Sequence, residues 1–253
     1  MSDNVTQFYS ELTPFYHLIY PDWETSFGRQ ANTLDQLIRE NWPDRRTELL
    51  DAACGIGTQS LGLAKLGYQV TASDLSPDGV KRASLEAADR GLVIPFTVAD
   101  MRALSTHHQR QFDIVLACDN AIPHLLSDDE ILRALRQLYA CTRPGGGCII
   151  STRDYEAEDR TDNSAKFYGL REDRGVSYLI FQKWAWRETF YDLTMYVVED
   201  DGDAGVTTHV MRSVYYAIST TRLMVLMIQA GFRDVARLDE AFFQPVIIGT
   251  RTD

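Results

Sequence analysis

The chain has 253 residues, is 45% hydrophobic and carries a formal net charge of −11 at neutral pH, with a pI near 4.9. An acidic surface repels phosphate backbones and anionic lipid, so nucleic acid and membrane surfaces are excluded as favoured partners, and no apolar run reaches the roughly 20 residues that span a bilayer. The expectation is a cytoplasmic protein of one large domain, or one domain carrying an insertion.

Residues 1–44 are aromatic-rich, with Phe8, Tyr9, Phe15, Tyr16, Tyr20, Trp23 and Phe27. Apolar residues at 34, 37 and 38 predict a helix over Ala31–Trp42, closed by Pro43. Strands and helices then alternate. Predicted strands are Glu48–Ala53, Gln69–Asp74, Ile94–Ala99, Phe112–Cys118 and Gly147–Arg153, with nearly continuous apolar runs suited to a parallel sheet covered on both faces. Predicted helices are Gln59–Leu66, Pro77–Arg90, with Ser76 as its cap, and Asp128–Cys141. Pro144 and the three glycines after it predict a turn into the fifth strand. Cys54, Cys118, Cys141 and Cys148 fall in or beside core elements with no CxxC spacing, as expected of reduced, buried thiols. The N-terminus lacks the basic-then-apolar order of a signal peptide.

Beyond Arg153 the pattern changes. Glu156–Asn163 is polar and reads as a loop. Three β-rich stretches, Tyr178–Arg187, Phe190–Val198 and Thr207–Ile218, predict a three-stranded antiparallel insertion. A helix over Thr220–Ala230, ended by Gly231, and strands Asp234–Leu238 and Val246–Thr250 return to the main sheet. The expected organisation is an N-terminal covering segment (1–44), a core (45–153 and 219–253) and a β-rich insertion for substrate (154–218).

Three segments carry the chemistry. Gly55 and Gly57 follow the first strand, where residues without a Cβ let the backbone approach a nucleoside, or simply make a tight strand-to-helix turn. Ser60 occupies the third glycine position of the dinucleotide fingerprint, which argues against NAD. Asp74, at the tip of the second strand, can accept both ribose hydroxyls, or cap the helix that follows. Asp100 can accept from an adenine amine, with Met101 as an apolar wall, or be a solvated strand end.

With these residues the chain resembles the class I S-adenosylmethionine-dependent methyltransferases. The resemblance rests on Leu-Leu-Asp-Ala-Ala-Cys-Gly-Ile-Gly-Thr at 49–58, Ala-Ser-Asp-Leu-Ser at 72–76 and Ala-Asp-Met-Arg at 99–102. It continues with Phe-Asp-Ile-Val-Leu-Ala-Cys-Asp-Asn-Ala at 112–121 and Leu-Arg-Gln-Leu-Tyr-Ala-Cys-Thr-Arg-Pro-Gly-Gly at 135–146. It implies a Rossmann-like α/β fold: a seven-stranded, mostly parallel sheet with an antiparallel last strand, plus the small antiparallel β insertion. It implies S-adenosylmethionine as cofactor, held by Asp51, Ala53, Gly55, Gly57, Asp74, Leu75, Asp100, Met101 and Cys118, with Cys118 contributing a carbonyl rather than a thiol. The DNA aminomethylase signature is absent after the fourth strand, where Asp119-Asn120-Ala121 stands.

A narrower likeness to the glycine and sarcosine N-methyltransferases lies in Ser151-Thr152-Arg153-Asp154-Tyr155 and in Phe15–Trp23, similar to that group's cofactor-covering segment; it adds Tyr20 to the cofactor set. It implies a small-molecule amine acceptor whose carboxylate pairs with Arg153, unless Arg153 is satisfied by Asp154; Arg187 and Arg212 are other candidates. Asp119 with Asn120 would orient an amine, whereas His124 would be the base of an O-methyltransferase, or a loop histidine packing the start of the next helix. Metal-dependent catechol chemistry through Asp119 and Asp154 is disfavoured by the neighbouring Arg153, so no metal is expected. Homo-oligomerisation is left open, as is cofactor binding without catalysis. The insertion's aromatics are expected to form mostly its own core.

Overall fold

The computed structural model describes residues 2–43, 47–158, 160 and 165–252. Helix α1 (Ser2–Leu12) and a 3₁₀ turn (Tyr16–Ile19) precede α2 (Trp23–Asn41). The sequence pattern caught only the second half of α2. Its true start is set by Asp22, whose side chain accepts from Thr25 N at 3.0 Å, and Gly28 is accommodated inside it. The expected boundary at 44–45 lies outside the described residues.

The main sheet contains β1 (Glu48–Asp51), β2 (Gln69–Asp74), β3 (Phe96–Val98), β4 (Phe112–Ala117), β5 (Thr142–Ser151), β10 (Arg233–Leu238) and β11 (Val246–Thr250). Their order is β10-β11-β5-β4-β1-β2-β3, with β11 antiparallel to both neighbours. The seven-stranded sheet with an antiparallel last strand is therefore as expected. Chain order reverses between β1 and β4, so the crevice at their C-terminal ends is the natural place for a ligand. The helices α3 (Thr58–Lys65), α4 (Pro77–Asp89), α5 (Leu104–His108), α6 (Asp128–Cys141) and α7 (Thr220–Ala230) complete the layers. α5 was not read from the sequence, being only five residues long.

Two buried clusters sandwich this sheet. Leu50, Val115, Cys148 and Ile150 meet α6 and α7 on one face; Leu49, Ile114, Leu116 and Ile149 meet α2 on the other. All four cysteines are free and buried. α2 lies close on α3: a Cβ added to Gly62 would stand 2.6 Å from Ala31 Cβ. β5 begins earlier than its apolar run implied, pairing Thr142 with Phe112 before a register shift, and stops short of Arg153. Gly147 serves packing: a Cβ there would overlap the Trp42 ring at 2.3 Å, and Trp42 is itself fixed by its indole N–H to Thr250 Oγ1 at 3.0 Å.

The insertion is a four-stranded antiparallel sheet, not three: β6 (Ala165–Asp173), β7 (Val176–Arg187), β8 (Phe190–Asp200) and β9 (Val206–Tyr216). β6 escaped notice because its charges and Gly169, at a register shift, mask the alternation. Half of the loop expected over 156–163 (positions 159 and 161–163) lies outside the described residues. The inner face of this sheet forms a third cluster, in which Trp184, Tyr191, Met195 and Tyr215 pack with Phe8, Leu12 and Leu18 of the N-terminal segment. α1 thus docks on the insertion, while α2 belongs to the core.

Candidate active site

Two cavities meet at the C-terminal ends of β1, β2 and β4. The first is lined by Ala53, Gly55, Asp74, Leu75, Asp100, Met101, Cys118, Asp119 and His124, seven of the ten expected cofactor residues among them. The second is lined by Tyr20, Asp119, Asn120, Arg153, Lys166, Tyr168 and Tyr215. Tyr9, Tyr16 and Asp119 border both and form the partition. Asp51 and Gly57 stand behind the wall of the first cavity, and Tyr20 faces the second.

Local chemistry explains each position. Gly55 (φ 53°) and Gly57 (φ 93°) take left-handed conformations that L side chains rarely adopt. A Cβ on Gly55 would approach the Tyr16 ring at 3.2 Å. Asp74 accepts from Gly55 N and from Ser76 N, both at 2.8 Å, which ties the tip of β2 to the glycine loop. The cap of α4 is Ser76, accepting from Gly79 N at 3.1 Å, so Asp74 is not spent on capping. Asp51 is fully buried; its Oδ2 accepts from Ser60 Oγ at 2.6 Å, and its Oδ1 has no partner. The serine that breaks the dinucleotide fingerprint therefore holds the first acid of the site.

Burial raises the carboxyl pKa of Asp51 to about 6 and lifts those of Asp74 and Asp119 above the usual range. None of the three makes an ion pair among the described residues. Fully buried Asp51, with one orphaned oxygen, and the half-buried Asp74 and Asp119, beside a glycine-lined cradle, fit a cationic nucleoside, whose charge would relieve them. Asp100 is differently placed. Although burial opposes it, Arg102 holds its carboxyl below the usual range, through Nη2 to Oδ2 at 2.6 Å, Nε to Oδ1 and Oδ2 at 3.0 Å, and its own backbone N–H. Little of Asp100's acceptor capacity is left for a base. Burial pushes the Cys118 thiol up, so at neutral pH it is uncharged and its carbonyl is the stronger polar group.

Asp119 (φ 55°) and Asn120 (φ 64°) are consecutive left-handed residues at the tip of β4. Ser151 secures the turn, its Oγ accepting from Asp119 N at 2.8 Å. Tyr20 donates its hydroxyl to Asp119 Oδ2 at 2.8 Å. Asn120 Oδ1 accepts three donors: Thr152 Oγ1 at 3.1 Å, Arg153 N at 3.1 Å and Tyr155 OH at 2.9 Å. Its oxygen is saturated, so the expectation that it shares with Asp119 in accepting from an amine is not met.

His124 sits between aromatic rings. Its Nε2 is 2.8 Å from Tyr9 OH, its ring centroid lies 4.1 Å from that of Tyr215, and Nδ1 is buried without a partner. Burial lowers its pKa to about 3, leaving a neutral imidazole of little basicity. Arg153 is not satisfied by Asp154, which pairs instead with Arg237 at 2.6 Å. Its guanidinium lies 4.9 Å from the Trp184 ring, with Nε unpartnered, and Tyr168, Tyr191 and Tyr155 keep it charged against the cost of burial. Arg187 and Arg212 are corrected as alternatives: β-alternation turns them to the outer face of the insertion, away from both cavities. Asp119 and Asp154, the pair considered for a cation, have separate partners in Tyr20 and Arg237.

Sequence reasoning missed Tyr9, Tyr16, Lys166 and Tyr168. The two N-terminal tyrosines carry a detectable signal, an aromatic-rich segment; for Lys166 and Tyr168, on the overlooked β6, there was none.

Residues 49–146 match the family model of the methyltransferase domain. The chain contains a methyltransferase domain. It is 28% identical over 135 residues to the glycine/sarcosine N-methyltransferase of Parasynechococcus marenigrum (strain WH8102), covering 53% of this chain and 47% of that protein. It is 32% identical over 148 residues to the ubiquinone biosynthesis O-methyltransferase of Xanthomonas euvesicatoria pv. vesicatoria (strain 85-10), covering 56% of this chain and 60% of that one. The chain thus spans about half to three-fifths of the length of these curated relatives. The solved structure of CalS10, an amino pentose methyltransferase from Micromonospora echinaspora, superposes with a TM-score of 0.78 over 90% of this chain and 92% of that one, at 19% identity; the likeness establishes the fold. The family match runs from β1 into the first half of β5, with the N-terminal segment, the insertion and the closing α7, β10 and β11 outside it.

Proposed function

We propose that the chain binds S-adenosylmethionine in the first cavity and methylates a small-molecule amine held in the second. The observation that carries this reading is the pair of cavities joined at Tyr9, Tyr16 and Asp119. Asp51 and the Gly55–Gly57 backbone would hold the amino-acid part of the cofactor, Asp74 its ribose and Met101 the face of its base, with Asp100, held by Arg102, at the edge of that pocket and Cys118 in the neighbourhood of the sulfur. S-adenosylmethionine supplies a methyl group already activated by a positive sulfur.

What remains for this chain is alignment, worth about 7–11 kcal/mol when two reactants are held in line. Asp119, fixed by Tyr20, faces the second cavity as the acceptor for an amine N–H, leaving the nitrogen lone pair free. Arg153 offers its unpartnered Nε and its charge to a carboxylate on the same molecule, as in a glycine- or sarcosine-like acceptor. Tyr9, Tyr16 and Tyr20, carried by α1 and the turn after it, exclude water. An O-methyltransferase, the activity named for the Xanthomonas relative, would need a base to take a hydroxyl proton. His124, neutral and engaged with Tyr9, is poorly suited to that role, which favours the amine.

The test is labelled methyl transfer over glycine, sarcosine, dimethylglycine, amino sugars and simple phenols. Turnover of amines supports the reading. Turnover of phenols alone would overturn it, and tight cofactor binding with no turnover on any acceptor would favour a binding protein.

A further inference from the structure

The outer face of the insertion sheet is apolar at its centre and joins none of the buried clusters. Strand register sets its side chains in cross-strand rows. Phe167, Phe181, Tyr196 and Val210 form one row, with Phe181 and Tyr196 stacked at 4.7 Å; Leu170, Leu179 and Val198 form the next. Phe167 is 69% exposed and Leu170 74%. Exposed apolar surface on this scale marks a contact site.

The flanking rows are charged with opposite sign. Lys183 and Arg212 lie beside the Phe181 row, and Glu172 and Asp200 beside the Leu179 row. All four are exposed, and none makes an ion pair among the described residues, whereas Arg187 and Asp192 on the same face are paired at 2.7 Å. A two-fold axis parallel to the rows, passing between the two apolar ones, would exchange the basic row with the acidic row. A two-fold axis along the strands would set the basic row against itself. Sheets pack face to face at a spacing of about 10 Å with their strands nearly aligned, within reach of such side chains.

We infer that this face is an isologous interface with a second copy of the chain, its apolar rows interdigitating and Lys183 and Arg212 meeting Glu172 and Asp200 of that copy. This does not rest on the catalytic reading. The site lies mainly on the opposite face of the sheet; the interface would brace the inner-face residues Trp184 and Tyr168, and of its apolar rows Phe167, on the edge strand, also reaches the second cavity.

Sedimentation velocity on the full chain at micromolar concentration tests it with two variants, K183E/R212E and E172K/D200K. The wild type should be a dimer. Each variant alone faces like with like, and its dissociation constant should rise at least tenfold. An equimolar mixture of the two should dimerise again, because each then meets the opposite charge. Phe181→Asp should be monomeric with an unchanged circular dichroism spectrum. A monomeric wild type would overturn the inference and leave the face to another protein or a lipid surface. Variants that dimerise as tightly as the wild type would also overturn it, by showing that any dimer uses another surface.

Discussion

Replacing Tyr20 by Phe removes one oxygen, yet it should move the pH dependence of the reaction. The Tyr20 hydroxyl donates to Asp119 Oδ2 at 2.8 Å. Burial lifts the Asp119 carboxyl above the usual range, and the Tyr20 bond and the Arg153 charge act against that lift. A hydrogen bond to a charged group is worth about 1.5–3 kcal/mol, which at 1.36 kcal/mol per unit is roughly one to two pH units. Without the hydroxyl the carboxyl pKa rises further, so a higher pH is needed to ionise it. The acid limb of kcat/KM should therefore move up by about one to two units relative to wild type with the same acceptor, while the rate well above that limb is largely retained. Comparing the two enzymes on one acceptor removes the titration of the acceptor's own amine. Steady-state rates by labelled methyl transfer from pH 5.5 to 9.5 provide the readout. An acid limb that stays in place while the rate falls uniformly would refute the role given to Asp119 and leave Tyr20 a packing residue.

Arg153→Ala should raise the KM of a carboxylate-bearing amine at least tenfold, with little change in the cofactor's KM, because only the second cavity loses a charge; equal effects on both would contradict that assignment. Asp51 predicts a pH-dependent stability difference. Its folded pKa of about 6, against a reference value of 3.8, means the folded state holds its proton longer, so stability falls as pH rises from about 4 to about 6 and is level above. The shift of 6 − 3.8, about two units, sets a limit of about 3 kcal/mol. Asp51→Asn lacks this titration, so the difference between wild type and variant in urea unfolding of the cofactor-free protein should drift by up to that amount over the window, in favour of the variant at higher pH; a constant difference would refute the burial argument.

The legible parts of the molecule were those written in local pattern. The strands ending at Asp51, Asp74 and Ala117 announce themselves by apolar runs, and Gly55 and Gly57 by the conformations their loop requires. β6 was hidden because its outward Phe167 and Leu170 stand among charges on a sheet edge, where hydrophobic alternation is weak. α1 was hidden because its buried residues, Phe8 and Leu12, are few and pack on residues far along the chain, chiefly those of the insertion strands. Site properties that depend on distant chain were likewise illegible. Arg153 is left without a carboxylate because Arg237, far along the chain, takes Asp154. Ser60 read as a missing glycine, and only the fold brings its hydroxyl to Asp51. His124 could be named from sequence, but its weak basicity follows from Tyr9 and Tyr215 closing around it.

The first cavity is assigned to the methyl donor, and calorimetric titration tests this most directly. S-adenosylmethionine and its demethylated product should both bind the wild type at one site per chain. Asp74→Ala should weaken both by at least about tenfold, the worth of one hydrogen bond to a charged group. Heat of binding for neither ligand, or equal affinities in wild type and Asp74→Ala, would contradict it.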